Sequence, residues 1–253
     1  MRVALFIPCF VDQLKPSVGL ASLELLESLG IEVEFPRDQT CCGQPFLTAG
    51  ELPGARALGR RYVEVFDGFD AIVTPSGSCA ATMRRHLPHL VAGSKAEQAA
   101  GRTRELCEFL VEQGAQRRLQ GRFGYRVGLQ PGCHALRELR LGTPSESRGP
   151  ESVDPARTLL SRLDGLEFVE LQRRDECCGF GGTFSIDEEA VACRMGLDRI
   201  ADHHGAGAQV LTSTDVSCLL HLDGLARRRE IPLRSLHVAE ILAEAMHEQI
   251  GDR

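Results

Sequence analysis

The sequence predicts an α/β protein made of two homologous cysteine-rich domains, each of βαβαβ type with a parallel sheet. Short apolar runs alternate along the 253 residues with segments of helical periodicity, a pattern typical of folds with parallel sheets. The cysteines follow the order single, pair, single twice, once in each half of the chain. A repeated order of this kind indicates an internal duplication.

Six short apolar runs have strand character, three in each half of the chain. They are residues 3–7, 31–35 and 71–74, followed by residues 125–129, 166–171 and 209–212. Helical patterns lie between these runs, such as the stripe of leucines over residues 20–29. A helical segment is also predicted over residues 96–112. A final amphipathic helix, residues 238–246, is expected to pack on the second half.

The boundary between the two domains is predicted within residues 113–123. Two glycines and a cluster of Arg and Gln side chains follow the predicted helix there, as is typical of a connecting loop. The expected domains are residues 1–118 and residues 119–253. A second loop over residues 143–155, rich in Gly, Pro and Ser, accounts for part of the extra length of the second copy.

The composition is that of an ordinary globular protein, with 43% hydrophobic and 25% charged residues. A chain of this length can bury a core that is stable without disulfides or metal. The formal net charge of −6 gives no electrostatic case for binding DNA or RNA, because phosphate recognition normally needs a basic excess. The consecutive arginines at residues 227–229 are interpreted as a solvated helix face.

The longest apolar stretch, residues 3–11, is interrupted by Pro8 and is about half as long as a membrane span. We therefore predict no membrane helix. Residues 1–10 carry neither a basic leader nor a small-residue cleavage site, so we interpret them as the first core strand of a cytoplasmic protein. In that reducing compartment, the 10 cysteines indicate metal or redox chemistry rather than a disulfide framework.

Eight of these cysteines form the repeat, and they follow predicted strands. They are Cys9, Cys41, Cys42 and Cys79 in the first half, and Cys133, Cys177, Cys178 and Cys218 in the second. Because loops beyond the carboxyl ends of parallel strands gather on one edge of the sheet, the three cysteine loops of each half are expected to converge. Cys107 and Cys193 lie within helical patterns outside the repeat, and we expect them to be packing residues.

Four thiolates at one sheet edge form a soft-donor site that suits zinc or an iron–sulfur cluster. The chain contains no Cys-x-x-Cys sequence, the usual ligand pair of structural zinc sites, and this counts against zinc. The Cys-Cys-Gly sequence favours a larger inorganic core, because adjacent cysteines can direct their sulfurs to different irons where Gly43 and Gly179 permit a sharp turn. Zinc binding by a non-redox assembly module is the alternative.

No catalytic residue is predicted. The sequence has no serine nucleophile elbow, no metalloprotease helix motif and no P-loop. Phe184 stands where a dinucleotide-binding fingerprint requires its last glycine, so the glycine-rich segment before it does not indicate a nucleotide site. His134 is left without an assigned role, and His203, His204 and His237 are interpreted as helix-end residues.

Several motifs together resemble those of a known family. They are Phe35-Pro36, Thr40-Cys41-Cys42-Gly43-Gln44-Pro45, Cys177-Cys178-Gly179-Phe180-Gly181-Gly182-Thr183-Phe184-Ser185, Asp215-Val216-Ser217-Cys218-Leu219-Leu220 and His237-Val238-Ala239-Glu240. With them, essentially the whole chain resembles the duplicated cysteine-rich CCG-domain family, which is found in heterodisulfide reductase and in the glycolate oxidase iron–sulfur subunit. A narrower likeness is to the branch of this family that works in lactate utilisation.

The resemblance implies an iron–sulfur electron-transfer protein that acts with two partner subunits in the oxidation of L-lactate to pyruvate. Lactate oxidation removes two electrons, whereas a cluster passes one at a time, so the chain is not expected to perform it alone. The alternatives are a redox subunit linked to a disulfide or to another 2-hydroxy acid, as in the related proteins, and the zinc-binding module.

The resemblance also implies two ligand sets. Carried over position by position, Cys9, Cys41, Cys42 and Cys79 would hold one cluster, and Cys133, Cys177, Cys178 and Cys218 would hold a second. In the wider family the last element is often Cys-x-x-Cys, but here Ser76 and Asp215 occupy its first position. Four ligands in each copy favour an ordinary four-iron (4Fe–4S) cluster, with one or two clusters in the chain.

Overall fold

The framework of the molecule is a pair of four-stranded parallel sheets. The computed structural model describes residues 1–251. The strands are β1 (Val3–Leu5), β2 (Val33–Glu34), β3 (Ala71–Thr74) and β4 (Thr103–Glu105), then β5 (Arg126–Leu129), β6 (Glu167–Phe168), β7 (Val210–Ser213) and β8 (Arg234–His237). Their orders are β2-β1-β3-β4 and β6-β5-β7-β8, and the paired strands run parallel. The predicted fold class is confirmed.

Helices connect the strands of both sheets. They are α1 (Cys9–Leu14), α2 (Pro16–Ser28), α3 (Gln44–Thr48), α4 (Leu52–Val65), α5 (Gly77–Ala81), α6 (Leu87–Leu90), α7 (Ser94–Arg102), α8 (Leu106–Glu112), α9 (Cys133–Arg137), α10 (Pro155–Leu160), α11 (Phe184–Asp187), α12 (Glu189–Gly205), α13 (Val216–Arg228) and α14 (Val238–Gly251). A π-helical turn, Thr82–His86, lies between α5 and α6, and a 3-10 turn, Ala115–Arg117, follows α8.

Each sheet has the first strand of its half at the centre, flanked by the second and third strands. Val3 of β1 pairs with Val33 on one side and Ala71 on the other, and Val127 of β5 is placed in the same way. Since the strands are parallel, their carboxyl ends meet at one edge. The loops that carry the repeated cysteines leave the sheet from this edge.

The prediction of one helix over residues 96–112 is wrong, because β4 interrupts it. Thr103 is buried, with its hydroxyl 2.8 Å from the hydroxyl of Tyr62 on α4, and it pairs with Ile72 of β3. Glu105 then begins a new helix: its carboxylate accepts hydrogen bonds from the amides of Cys107 and Glu108. This capping box satisfies amides that have no partner within the helix. The fourth strands, β4 and β8, were not among the predicted ones.

The predicted boundary, residues 113–123, contains the 3-10 turn and irregular chain, and it separates the last strand of one sheet from the first strand of the other. The division into residues 1–118 and 119–253 stays a prediction. Residues 252–253 of the second expected domain lie outside the described residues.

The apolar core is shared by both halves of the chain. Helix α14 packs against α10 and β8 of the second half, as expected, and also against α2 of the first half, a contact that was not predicted. Its buried residues include Val238, Ile241, Leu242 and Ala245, the face predicted from the sequence, and also Ala239 and Ala243. These residues belong to one cluster with Leu25 of α2 and residues of α8 and α10. An amphipathic pattern identifies the buried face but not the element that covers it.

Candidate metal centres

The eight repeated cysteines lie in corresponding places in the two halves. In the first half, Cys9 begins α1 directly beyond β1, Cys41 and Cys42 lie in the loop between β2 and α3, and Cys79 lies in α5 beyond β3. In the second half, Cys133 begins α9, Cys177 and Cys178 lie in the loop after β6, and Cys218 lies in α13 beyond β7. All eight therefore stand beyond the carboxyl ends of their strands.

The thiols of the first half converge, and we call Cys9, Cys41, Cys42 and Cys79 the first thiol set. The Sγ atoms of Cys9 and Cys41 are 3.6 Å apart, and those of Cys42 and Cys79 are 3.2 Å apart. Cys41 and Cys42 are adjacent in the chain and so join the two pairs. Cys42 and Cys79 are buried, whereas Cys9 and Cys41 are half-buried. Three loops that are distant in sequence thus bring four sulfurs together.

The second thiol set, Cys133, Cys177, Cys178 and Cys218, repeats this arrangement. The Sγ atoms of Cys178 and Cys218 are 3.0 Å apart. Cys177 is adjacent to Cys178 in the chain, and the side chains of Cys133 and Cys178 both act to lower the pKa of Cys177. Only Cys178 is buried, and the other three are half-buried. The order of contacts, from single cysteine to pair to single cysteine, is the same as in the first set.

The glycine after each cysteine pair has a conformation that few other residues adopt. The φ angles of Gly43 and Gly179 are +83° and +90°, in the left-handed region that favours glycine. Each amide lies 3.4 Å from the sulfur two residues earlier, that of Cys41 or Cys177. A Cβ at Gly179 would also lie 2.5 Å from the carbonyl oxygen of Ala192. The turn therefore requires glycine and directs an amide at a sulfur.

One cysteine of each pair is stabilised as a thiolate. Hydrogen bonds from the thiols of Cys42 and Cys9, with a further one from the Gly43 amide, lower the pKa of Cys41 to about 3. Thiol donation from Cys133 and Cys178 lowers the pKa of Cys177 to about 2. The thiols that donate have raised pKa values. The thiolate is the form of cysteine that binds soft metals, and the lowered pKa of one cysteine favours that form in each set.

The surroundings of the first set are largely apolar. A cavity of about 380 Å³ reaches Cys9, Cys41, Cys42 and Cys79, and Phe10, Phe180, Ile186 and Val216 are among the other side chains that line it. The rings of Phe10 and Phe180 meet edge to face, with centroids 5.6 Å apart. Phe180 follows the Cys-Cys-Gly sequence of the second half. One half therefore supplies the sulfurs of this cavity and the other supplies part of its wall.

The second set opens to a charged surface. A shallow depression of about 780 Å³ contacts Cys133 and Cys177 and is lined by Arg137, Arg173 and Arg174, together with Asp175 and Glu176. Arg137 forms ion pairs with Glu146 and Asp175, and Arg173 pairs with Glu176. The two thiol sets thus have equal numbers of sulfurs but different polarity around them.

The sulfur contacts bear on which inorganic group the residues fit. Within residues 1–251, no group of three or more His, Cys, Asp or Glu side chains has an arrangement that could hold a metal ion. The sulfurs lie in two contacting pairs in the first set, and Cys178 contacts Cys218 in the second, with an amide directed at Cys41 and at Cys177. Four thiols of this kind fit the ligand requirement of a multi-iron cluster, whose irons are bound by separate cysteines.

The other residues singled out from the sequence lie outside the two sets. Cys107 is buried in the shared core, and Cys193 is half-buried on α12. Nδ1 of His134 forms a hydrogen bond of 2.7 Å with the carboxylate of Glu138. His203 and His204 lie in the last turn of α12, and His237 directly precedes α14. Phe184 begins α11, and residues 227–229 include the end of α13.

Two features around the thiol sets were missed from the sequence, one beside each set. Arg199 of α12 is fully buried and donates to Asp202, to Gln130 and to the carbonyl oxygens of Arg173 and Arg174. It thereby holds the chain that leads to Cys177. Nothing in the sequence around Arg199 indicates this role, because its partners come from distant segments. The aromatic wall of the first set had a weak signal, since Phe10 and Phe180 each lie within two residues of a repeated cysteine.

The fold and the paired thiol sets define a duplicated cysteine-rich α/β protein. The sequence pattern of the CCG cysteine-rich domain matches residues 3–84 and 127–223, and the chain belongs to this family. It is 36% identical over 247 residues to lactate utilization protein A of Bacillus licheniformis, covering 96% of this chain and 99% of that protein. It is 38% identical over 254 residues to lactate utilization protein A of an Exiguobacterium species, covering 98% and 99%.

Among solved structures, a glutamate racemase from Bacillus anthracis is similar over 99% of this chain and 81% of its own, with 11% identity and a TM-score of 0.37. A similarity at that score does not indicate a shared function. In the part of the chain that the structure describes, no helix combines the length and the apolar character needed to cross a bilayer.

Proposed function

We propose that this protein is a cytoplasmic iron–sulfur subunit that passes electrons within a complex oxidising L-lactate to pyruvate. The observation that carries the proposal is that three cysteine loops of each half end at one sheet edge, with sulfur contacts between loops and an amide directed at one sulfur of each pair. The identity to lactate utilization proteins A over nearly the full chain supports the metabolic role.

The ligands of the proposed clusters are the two thiol sets. Cys9, Cys41, Cys42 and Cys79 would hold one cluster in residues 1–118, and Cys133, Cys177, Cys178 and Cys218 would hold another in residues 119–253. A bound 4Fe–4S cluster would supply one-electron chemistry. A chain with such clusters needs a partner that handles the two-electron step on lactate, so other subunits of the complex are part of the proposal.

The protein's own groups would tune these centres. The amides of Gly43 and Gly179 donate to Cys41 and Cys177, and such hydrogen bonds to ligand sulfurs raise a cluster's reduction potential. Burial in an apolar cavity favours the state of lower charge, as at the first set, whereas the exposed arginines stand beside the second. We therefore expect the two centres to differ in reduction potential, which would give electron flow a direction through the chain.

The test is anaerobic purification followed by counts of iron and acid-labile sulfide and by EPR of the reduced protein. The proposal expects equal iron and sulfide, about four of each for every occupied thiol set, and two distinguishable signals when both are occupied. The isolated chain is expected to show no lactate turnover, whereas the complex formed with its partner subunits is expected to oxidise lactate. A colourless protein with stoichiometric zinc would contradict the proposal and favour a non-redox assembly module.

The cavity at the first set favours a second candidate. It is apolar, opens beside four thiols and has room for a small molecule, which suits a subunit that reduces a disulfide or oxidises another 2-hydroxy acid at this set. Turnover of such a substrate by the isolated protein, with an artificial electron donor or acceptor, would favour this candidate over an electron-transfer role.

A further inference from the structure

The two positions at which this chain lacks the first cysteine of the family's Cys-x-x-Cys element are in direct contact. Ser76 and Asp215 precede Cys79 and Cys218 by three residues, one in each half. The hydroxyl of Ser76 donates a hydrogen bond of 2.8 Å to Oδ1 of Asp215. Both residues are buried, Asp215 with an exposure of 2%. The residues that replace the extra cysteines therefore join the two halves.

The Asp215 carboxylate holds the segment that carries Cys79. Besides Ser76, the hydroxyl and the amide of Ser78 donate to Oδ1 at 2.8 and 3.1 Å. The Ser76 oxygen in turn accepts a hydrogen bond of 3.2 Å from the amide of Cys79. Asp215 is thus two hydrogen bonds away from the backbone of a first-set cysteine, although it belongs to the second half.

The other carboxylate oxygen faces the segment that carries Cys133. A Cβ at Gly132, the residue before Cys133, would collide with Oδ2 of Asp215, and a Cβ at Gly77 would lie 3.2 Å from it. Asp215 itself directly precedes α13, which contains Cys218. One buried side chain therefore contacts the chain next to cysteines of both sets.

The charge of this carboxylate has neutral hydrogen-bond partners. Its three donors are two hydroxyl groups and one amide, so its negative charge is stabilised by dipoles rather than cancelled by a cation. Reduction adds negative charge to a cluster, and a fixed negative charge nearby in a medium of low dielectric constant opposes it. A carboxylate between two such centres would make both harder to reduce.

We infer that Asp215 is a positioning residue that joins the two thiol sets and lowers the reduction potential of the clusters bound at both. The inference rests on the proposed iron–sulfur function. It assigns a purpose to the absence of cysteine at residues 76 and 215: a hydrogen-bonded Ser–Asp pair replaces two sulfurs.

The test compares reduction potentials, measured by EPR-monitored redox titration, in the wild type and in Asp215→Asn. Asparagine keeps the shape and an acceptor oxygen but removes the charge. Both signals are expected to shift to more positive potentials, with iron and sulfide content retained. Asp67→Asn removes one exposed carboxylate that pairs with Lys95, and this matched control is expected to leave both potentials unchanged.

Two further variants keep the inference testable if Asp215→Asn does not fold. Ser76→Ala and Ser78→Ala retain the charge but each removes a hydroxyl that stabilises it, so we expect more negative potentials and altered EPR line shape for the cluster held by Cys79. Unchanged potentials in whichever of these variants bind iron would overturn the inference and leave the proposed function intact. Absence of iron and sulfide from the wild type would instead overturn the proposed function.

Discussion

Glu105 and His237 occupy the same position in the two halves of the molecule. Each is the last residue of the fourth strand of its sheet and directly precedes a helix. In each, the side chain accepts a hydrogen bond from the amide two residues later, at 2.8 Å for Glu105 and 3.1 Å for His237. The backbone amide of each donates to a glutamate three residues later. An acid and an imidazole thus begin equivalent helices.

The stability of the protein is expected to fall with rising pH because of Glu105. Burial, with like charge from Glu108 and Asp215 adding to it, raises the pKa of Glu105 to about 8 from an ordinary value of 4.5. Between these values the folded state binds more protons than the unfolded state. The contribution of Glu105 to the free energy of unfolding is therefore complete below pH 4.5. It falls as pH rises to 8, by up to about 1.4 kcal/mol per pH unit.

Glu105→Gln should flatten this dependence, because glutamine caps the helix without a proton that titrates. Urea unfolding at pH 5, 6, 7 and 8 measures the effect. Glu112→Gln, on the same helix but exposed and paired with Arg104, serves as the control and should keep the wild-type slope. Parallel slopes in all three proteins would show that Glu105 is ionised in the folded state over this range.

Replacing one ligand of each set should remove one cluster at a time. Cys42→Ser and Cys178→Ser are each expected to lose one EPR signal and roughly half of the iron, because serine replaces a thiolate ligand. Cys107→Ser should lose neither, since Cys107 is buried in the core away from both sets. Iron and sulfide counts with EPR of the reduced proteins make the comparison, and equal losses in all three variants would show the ligand assignment to be wrong.

A side chain at Gly132 should displace Asp215. We expect Gly132→Ala to destabilise the protein by about 1–3 kcal/mol, the usual cost of overpacking a filled interior, because its Cβ collides with the Asp215 carboxylate. Gly101→Ala, in α7, has no atom within 4 Å of the new Cβ and is expected to stabilise the protein by up to about 1 kcal/mol. Urea unfolding of both variants tests the pair, and equal effects would mean that the contact at Gly132 relaxes freely.

Loss of Arg199 should destabilise the fold and expose Cys177 more than Cys41. Arg199→Met leaves Asp202 and two carbonyl oxygens without their buried donor, and breaking a buried ion pair from one side typically costs about 3–5 kcal/mol. Urea unfolding gives the first effect. The rates at which a thiol reagent modifies the metal-free protein give the second.

Arg194→Met removes an exposed arginine from the same helix, where it pairs with Asp198. It should change neither the free energy of unfolding nor the labelling rates. The reagent could instead modify Cys41 and Cys177 of Arg199→Met faster than in the wild type by the same factor. The substitution would then loosen the whole protein rather than the chain leading to Cys177.

The sequence pattern was sufficient to predict those elements whose structure is determined by neighbouring residues. The six predicted strands lie where β1–β3 and β5–β7 were found, although residues 31–35 and 166–171 each contribute only two strand residues. The Cys-Cys-Gly turns have the expected glycine conformation. In each case, the residues that decide the structure are neighbours in the chain.

What could not be predicted depends on contacts between distant residues. Strands β4 and β8 are short and contain Arg104, Arg234 and His237, so they lack the apolar run by which a strand is recognised. The bond between Ser76 and Asp215 joins residues 139 positions apart. That helix α14 would cover α2 could not be read from its own periodicity, because many apolar surfaces can cover one apolar stripe.

The packing between α2 and α14 determines how the protein unfolds. Since residues from the beginning and the end of the chain complete the same buried cluster, loss of packing within that cluster reaches both halves. Heat or denaturant should therefore release both thiol sets in a single cooperative step. A cavity created at Leu242, far from any cysteine in sequence, would weaken both sets at once.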